Sequence, residues 1–132
     1  MNDFDPIYLD YMATTPVDET VAEEMMRYLT LQGDFGNPSS ATHLYGWRAQ
    51  ETISTARALL ADSIGATSRE VIFTSGATEA NNLAIQGAAR FYAKKSRHLI
   101  TTTIEHKAVL DVFQALEKEG FTVTLVSPNS DG

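Results

Sequence analysis

The chain has 132 residues, the size of one ordinary domain, of which 43% are hydrophobic; its formal net charge is −7 and it has no cysteine. An acidic chain with a pI near 4.8 and no Lys/Arg run excludes a basic nucleic-acid or anionic-membrane surface. The missing cysteines exclude disulfides, thiolate metal sites and a cysteine nucleophile within these residues. No apolar run is long enough to span a bilayer, and the acidic start MNDFDPIYLD is unlike a signal peptide, so the expectation is a soluble, cytoplasmic α/β protein.

Residues 1–17 read as an N-terminal arm with one short strand, Ile7 to Leu9, and a turn stiffened by Pro16. Thr14, Thr15 and Asp18 are available to cap a helix over 18–31, with Val21, Met25, Tyr28 and Leu29 on one face and Gly33 at its end. Residues 32–42, QGDFGNPSSAT, carry turn formers and no periodicity, as a connecting or functional loop does. A long helix is predicted over 43–63, burying Trp47, Ile53, Ala56, Leu60 and Ile64, with Gly65 as its cap.

Val71, Ile72 and Phe73 form a short apolar run suited to a buried strand. Ser75-Gly76 breaks that run, and from Thr78 a helical pattern follows, with Leu83, Gly87 and Phe91 every fourth residue and Lys94-Lys95 in the last turn. The junction holds Ser75, Gly76, Ala77 and Thr78, all small, at a helix mouth. Unpaired N–H groups and partial positive charge there can hold a phosphate, with Ser75 and Thr78 hydroxyls as further donors. The same residues equally suit a plain turn with Ser75 or Thr78 as N-cap, and Glu79 would repel a dianion unless it points away. A strand over 98–102, a helix over 105–119 with Val109, Val112, Phe113 and Leu116 inward, Gly120 as its close and a strand over 121–126 complete a β-α-β-α-β order, which predicts parallel strands. Three such strands make a thin sheet with an open edge, as the front of a larger domain would.

The motifs YLDYMATTP, GDFGNPSSATHLYG, VIFTSGATEANNLAI and TTIEHKAVLD, in this order and spacing, resemble the pyridoxal-phosphate-dependent cysteine desulfurases, above all the housekeeping branch that feeds iron–sulfur cluster assembly. Met12 departs slightly, standing where relatives more often carry a smaller residue. The resemblance implies an α/β fold of type I among pyridoxal-phosphate enzymes. Residues 1–17 would lie on the small-domain side, and residues 18–132 would form an incomplete first part of the large, mostly parallel, cofactor-binding domain with its flanking helices. It implies that Ala77 and Thr78 bind the phosphate of pyridoxal 5'-phosphate, and that His106 stacks on its ring and assists proton transfer. His106 read alone is an ordinary histidine at a helix N-terminus, paired with Glu105 or the backbone. The family also needs a lysine that holds the cofactor covalently, an acidic partner for its ring nitrogen, an arginine for the substrate carboxylate and a sulfur-accepting cysteine. None of these is expected here: Lys94, Lys95, Lys107 and Lys118 are expected to be solvated, and this segment alone inactive. The implied substrate is L-cysteine, the product L-alanine, and the partners a second copy and an iron–sulfur scaffold or other sulfur acceptor. Alternatives are another type I enzyme such as a selenocysteine lyase, or a catalytically silent binding module. A generic nucleotide-binding domain lacks both its glycine motif and its P-loop lysine. The three histidines have no metal-ligand spacing.

Overall fold

In the computed structural model the described residues are 6–132, and the chain divides into two compact units, Met1–Val71 and Ile72–Gly132. The first five residues of the expected arm lie outside the described region.

In the first unit, residues 7–9 do not form the expected strand. Three residues with no partner strand cannot hold a ladder. The segment is braced instead by the Tyr8 hydroxyl, which donates to the Asp10 carbonyl at 2.8 Å. Helix α1, Glu19–Met26, begins where Asp18 accepts from the Thr20 N–H at 2.9 Å, and it stops well short of residue 31. After Met26 the chain tightens into three-residue turns (Tyr28 N–H to Met25, Leu29 N–H to Met26) and folds back, so that the Asp34 N–H reaches the Arg27 carbonyl at 2.7 Å. Gly33 therefore does not end the helix; it allows this return, because a Cβ there would lie 1.9 Å from the Arg27 oxygen. Val21, Met25 and Leu29 stay exposed rather than turned inward.

Helix α2, Leu44–Ser63, is capped by His43, whose Nδ1 accepts from the Gly46 N–H at 3.2 Å. Its buried face is made of Gly46, Ala49 and Ala61, not of the expected large residues. Trp47 is 57% exposed and spends its indole N–H on the Ala41 carbonyl, and Leu60 and Ile64 are exposed as well. Small residues are buried because backbone packs there: a Cβ on Gly46 would stand 1.9 Å from the Ser40 carbonyl oxygen. Gly46→Ala is expected to push the 36–40 loop off α2 and cost about 1–3 kcal/mol, the range of overpacking, seen as a lower denaturant midpoint. The helix closes in a Schellman motif, with the Ala66 N–H on the Ala61 carbonyl, the Gly65 N–H on Asp62 and Gly65 at φ +67. A 3₁₀ turn, Ser68–Glu70, follows, its Glu70 carboxylate accepting from the N–H and hydroxyl of Thr67.

The second unit is an α/β layer. Residues 71–73 do not join a sheet; Phe73 is 47% exposed and Ile72 more so. The order is then α3 (Ala77–Tyr92), β1 (His98–Thr102), α4 (Lys107–Lys118) and β2 (Thr122–Val126). The sheet has two strands rather than three, paired in parallel from His98 opposite Thr122 to Thr102 opposite Val126. Parallel pairing joined by α4 confirms the expected crossover. The core is Ala89, Val112, Leu116 and Phe121, with Ile85, Ala93 and Leu99 against it. The inward stripe of α3 is thus Ile85 and Ala89, continued by Ala93 at its C-cap; Leu83 and Phe91, on the predicted stripe, face outward. Helix α3 ends at Tyr92, so Lys94 and Lys95 follow it instead of occupying its last turn. Helix α4 also closes in a Schellman motif, with the Phe121 N–H on the Leu116 carbonyl, the Gly120 N–H on Glu117 and Gly120 at φ +88. The Arg97 guanidinium lies 4.3 Å from the Phe121 ring centroid and donates to the Glu119 and Gly120 carbonyls, covering that corner.

Among the described residues no helix is long and apolar enough to cross a membrane. The four lysines include Lys107, whose ammonium pairs with Asp111 at 2.6 Å on an exposed face.

Candidate functional site

Helix α3 starts one residue earlier than the pattern predicted, at Ala77, with Gly76 as N-cap. The Gly76 backbone is extended (φ 161), and a Cβ there would meet nothing within 4 Å. Glycine at this position brings no cap side chain and leaves open space in front of the turn. The first intrahelical bond runs from the Ala80 N–H to the Gly76 carbonyl at 3.1 Å. The N–H groups of Ala77, Thr78 and Glu79 precede it and have no partner in the helix. The Thr78 hydroxyl makes no hydrogen bond to a described residue, while the Thr78 carbonyl accepts from Asn82. The three other α-helices differ in that Asp18, His43 and His106 each cap their own first turn.

Ser75 is not available in the way its composition suggested. Its N–H donates to the Glu79 Oε2 at 2.6 Å, and its hydroxyl donates to the same oxygen at 2.7 Å. The carboxylate thus neither points away nor merely complements the dipole; it is tied back to the residue before the cap. These two bonds, the backbone one first, hold the Glu79 carboxyl below its ordinary 4.5. A depressed carboxyl contributes above its unfolded pKa and loses that contribution as pH falls through the lower folded value. The protection of the Ser75 amide in hydrogen-exchange NMR, taken relative to an unstructured amide at the same pH, is therefore expected to fall only once the pH drops below the usual carboxylate range. The signal in the sequence is a Ser and a Glu four apart across Gly-Ala-Thr, one residue longer than a capping box.

His106 is the N-cap of α4: its Nδ1 accepts from the Ala108 N–H at 3.0 Å. Of the two partners considered for it, the backbone is the one it has; Glu105 instead accepts from the Thr102 hydroxyl at 3.2 Å. A ring nitrogen that accepts carries no proton, so in the neutral ring the proton sits on Nε2. The ring is exposed.

Topology places the two helix mouths at one end of the unit. Each helix leads into the strand that follows it and the strands are parallel, so both N-termini lie toward the strands' carboxyl ends. Arg90 of α3 pairs with Glu119 just past α4 at 2.7 Å, an offset of 29 residues. Both helices rise ~1.5 Å per residue, so the same offset carried back sets His106 about level with Ala77. Ala77, Thr78 and His106, singled out from the sequence, thus lie toward the same end of the unit. His43 caps α2, and the His98 ring nitrogen Nε2 lies 2.7 Å from the Thr124 hydroxyl across the strands.

The donor set at the α3 turn, three outward amides and a free hydroxyl, suits a phosphate. A cavity of about 460 Å³ in the first unit, lined by Tyr28, Asp34, Arg48 and Glu51 among others, contains none of these residues.

Residues 7–132 match the class-V aminotransferase family. The chain is 61% identical to "Cysteine desulfurase IscS" of Pasteurella multocida (strain Pm70), over 96% of its own length and 31% of that protein's. It thus spans about a third of the length of the curated relatives it matches. Among solved structures it is similar to "SspA in complex with cysteine" (TM-score 0.80, 44% identity, 92% of this chain and 34% of that one). It is similar also to a "NIFS-like protein" (TM-score 0.77, 41% identity, 86% and 30%).

Proposed function

Because the chain belongs to the class-V aminotransferase family, we propose that it is the N-terminal part of a pyridoxal-phosphate-dependent cysteine desulfurase. That enzyme would convert L-cysteine to L-alanine and pass the sulfur, as a persulfide, to an acceptor for iron–sulfur cluster assembly. The observation that carries this reading is the near-complete match of the chain to a protein bearing the desulfurase name. Residues 1–17 are assigned to the small-domain side and residues 18–132 to the first part of the cofactor-binding domain. The setting is cytoplasmic, and the working enzyme a homodimer that meets a scaffold or other sulfur acceptor. Incomplete cover of Ile72, Phe73, Ile100 and Leu125 supports the idea that more of the domain packs on this unit.

In this reading the Ala77 and Thr78 amides and the Thr78 hydroxyl hold the cofactor phosphate, with the α3 dipole behind them. When bound, pyridoxal phosphate supplies an electron sink for bond changes at the α-carbon of the amino acid. His106 offers its face to the ring. Its Nδ1 is engaged by Ala108, which leaves Nε2 as the nitrogen that holds or moves a proton. The chain has no cysteine, so the group that takes the sulfur is assigned to another part of the enzyme.

The test compares this chain with the product of its uninterrupted reading frame, each given pyridoxal phosphate, L-cysteine and a thiol. Alanine and sulfide release from the longer product alone supports the reading. Cofactor binding without cysteine turnover removes the substrate assignment, and turnover by the short chain overturns the view that its lysines are bystanders.

A further inference from the structure

The Ser75–Gly76 turn has little to hold it in place. Gly76 has no side chain, nothing packs where its Cβ would be, and Ser75 is exposed. Two ties span it: the Thr74 hydroxyl on the Gly76 carbonyl at 3.2 Å, and the double bond-pair from Ser75 to one oxygen of Glu79. The second is shorter and charge-assisted, the stronger class of hydrogen bond. It also joins the residue before the cap to the third residue of α3, so it sets how the turn enters the helix and where the intervening amides point. From these contacts we infer that Glu79 is a positioning residue: it fastens Ser75 so that the Ala77 and Thr78 donors face outward, and it withholds Ser75 from any anion bound there.

The inference rests on the phosphate reading of the α3 turn and goes beyond it. Glu79 touches neither the phosphate nor the reacting atoms; it acts through Ser75. Its charge stands near an anion, which by itself would weaken binding. The fastening and the repulsion therefore predict opposite results when the side chain is removed, which makes the role measurable.

The experiment uses the protein from its complete reading frame and titrates pyridoxal phosphate and, separately, pyridoxal without its phosphate, read by the cofactor's absorbance. Glu79→Ala is expected to raise the Kd of pyridoxal phosphate about tenfold, the weight of one charge-assisted bond, and to leave that of pyridoxal unchanged. Glu79→Gln keeps an oxygen that accepts both Ser75 bonds and is expected to restore most of the affinity. Unchanged or tighter binding in Glu79→Ala overturns the inference, as does an equal loss for pyridoxal or a failure of Glu79→Gln to restore. Should Glu79→Ala not fold, Ser75→Ala, which removes the hydroxyl half of the tie, carries the same comparison. The underlying reading has its own control: if Thr78→Ala weakens pyridoxal phosphate no more than pyridoxal, the phosphate site itself is wrong, whatever Glu79 does.

Discussion

His106→Asn in the complete enzyme is expected to fold as the parent does and to lose about 10²–10⁴ in turnover of L-cysteine, the usual weight of a positioned acid–base group. The two halves of this result come from two nitrogens. The Nδ1 caps α4 by accepting from the Ala108 N–H, and asparagine, among the best N-caps, supplies an oxygen for the same task. Asparagine has no titrating group to replace Nε2, nor an aromatic face to lie against a ring. His106→Ala should lose the same activity and, in addition, about 1 kcal/mol of stability as the cap disappears. The pair of variants, followed by alanine release and by thermal midpoint, separates the cap from the chemistry. Near-parental turnover in His106→Asn would reduce His106 to a cap and leave the proton transfer without an owner in this chain.

The largest loss of stability is expected from Leu116→Ala. Leu116 is 0% exposed and lies with Ala89, Val112 and Phe121 in the buried apolar cluster of the second unit. Leucine-to-alanine changes in cores cost about 2–5 kcal/mol, more where neighbours cannot close the gap. Here they are held. The Leu116 carbonyl accepts from Phe121 in the Schellman closure, and Arg97 lies over the Phe121 ring, so the backbone on both sides of the cavity is pinned. The value should fall toward the upper end of that range, measured as a lower denaturant midpoint. Phe91→Ala is the matched control: its ring is 79% exposed, and the change should stay within about 0.5 kcal/mol. A small effect from Leu116→Ala would mean that this four-residue cluster is not what holds the unit together.

How much of this was legible in the residues depends on what each feature needs. Strand β1 was read to its residue and α4 nearly so, because Val112 and Leu116 repeat on one face between a capping histidine and Gly120. Both glycine closures followed from local conformation, since a left-handed residue after a helix favours glycine wherever the helix sits. The small residues of the α3 mouth also followed from a break in an apolar run. The inward face of α3 did not. Leu83, Gly87 and Phe91 have the same four-residue spacing as Ile85, Ala89 and Ala93, and periodicity cannot choose between two offset stripes; α4 packs on the second. The α2 face failed for a related reason: a hydrophobic pattern ranks Trp47 above Gly46, yet the close approach of the Ser40 backbone admits only the glycine.

By itself, then, the sequence determined the parallel α/β order of the second unit and the glycine closures after α2 and α4. These depend on one residue's conformation or on spacing within one element. Tertiary structure alone decided whether 7–9 and 71–73 became strands and which faces of α2 and α3 were covered. Each of those requires a partner elsewhere in the chain, because a strand exists only through its ladder and a face is buried only when another surface meets it. The tie from Ser75 to Glu79 stands between the two cases. Its spacing is local, but the carboxylate has several places to go, and only the folded turn chose Ser75.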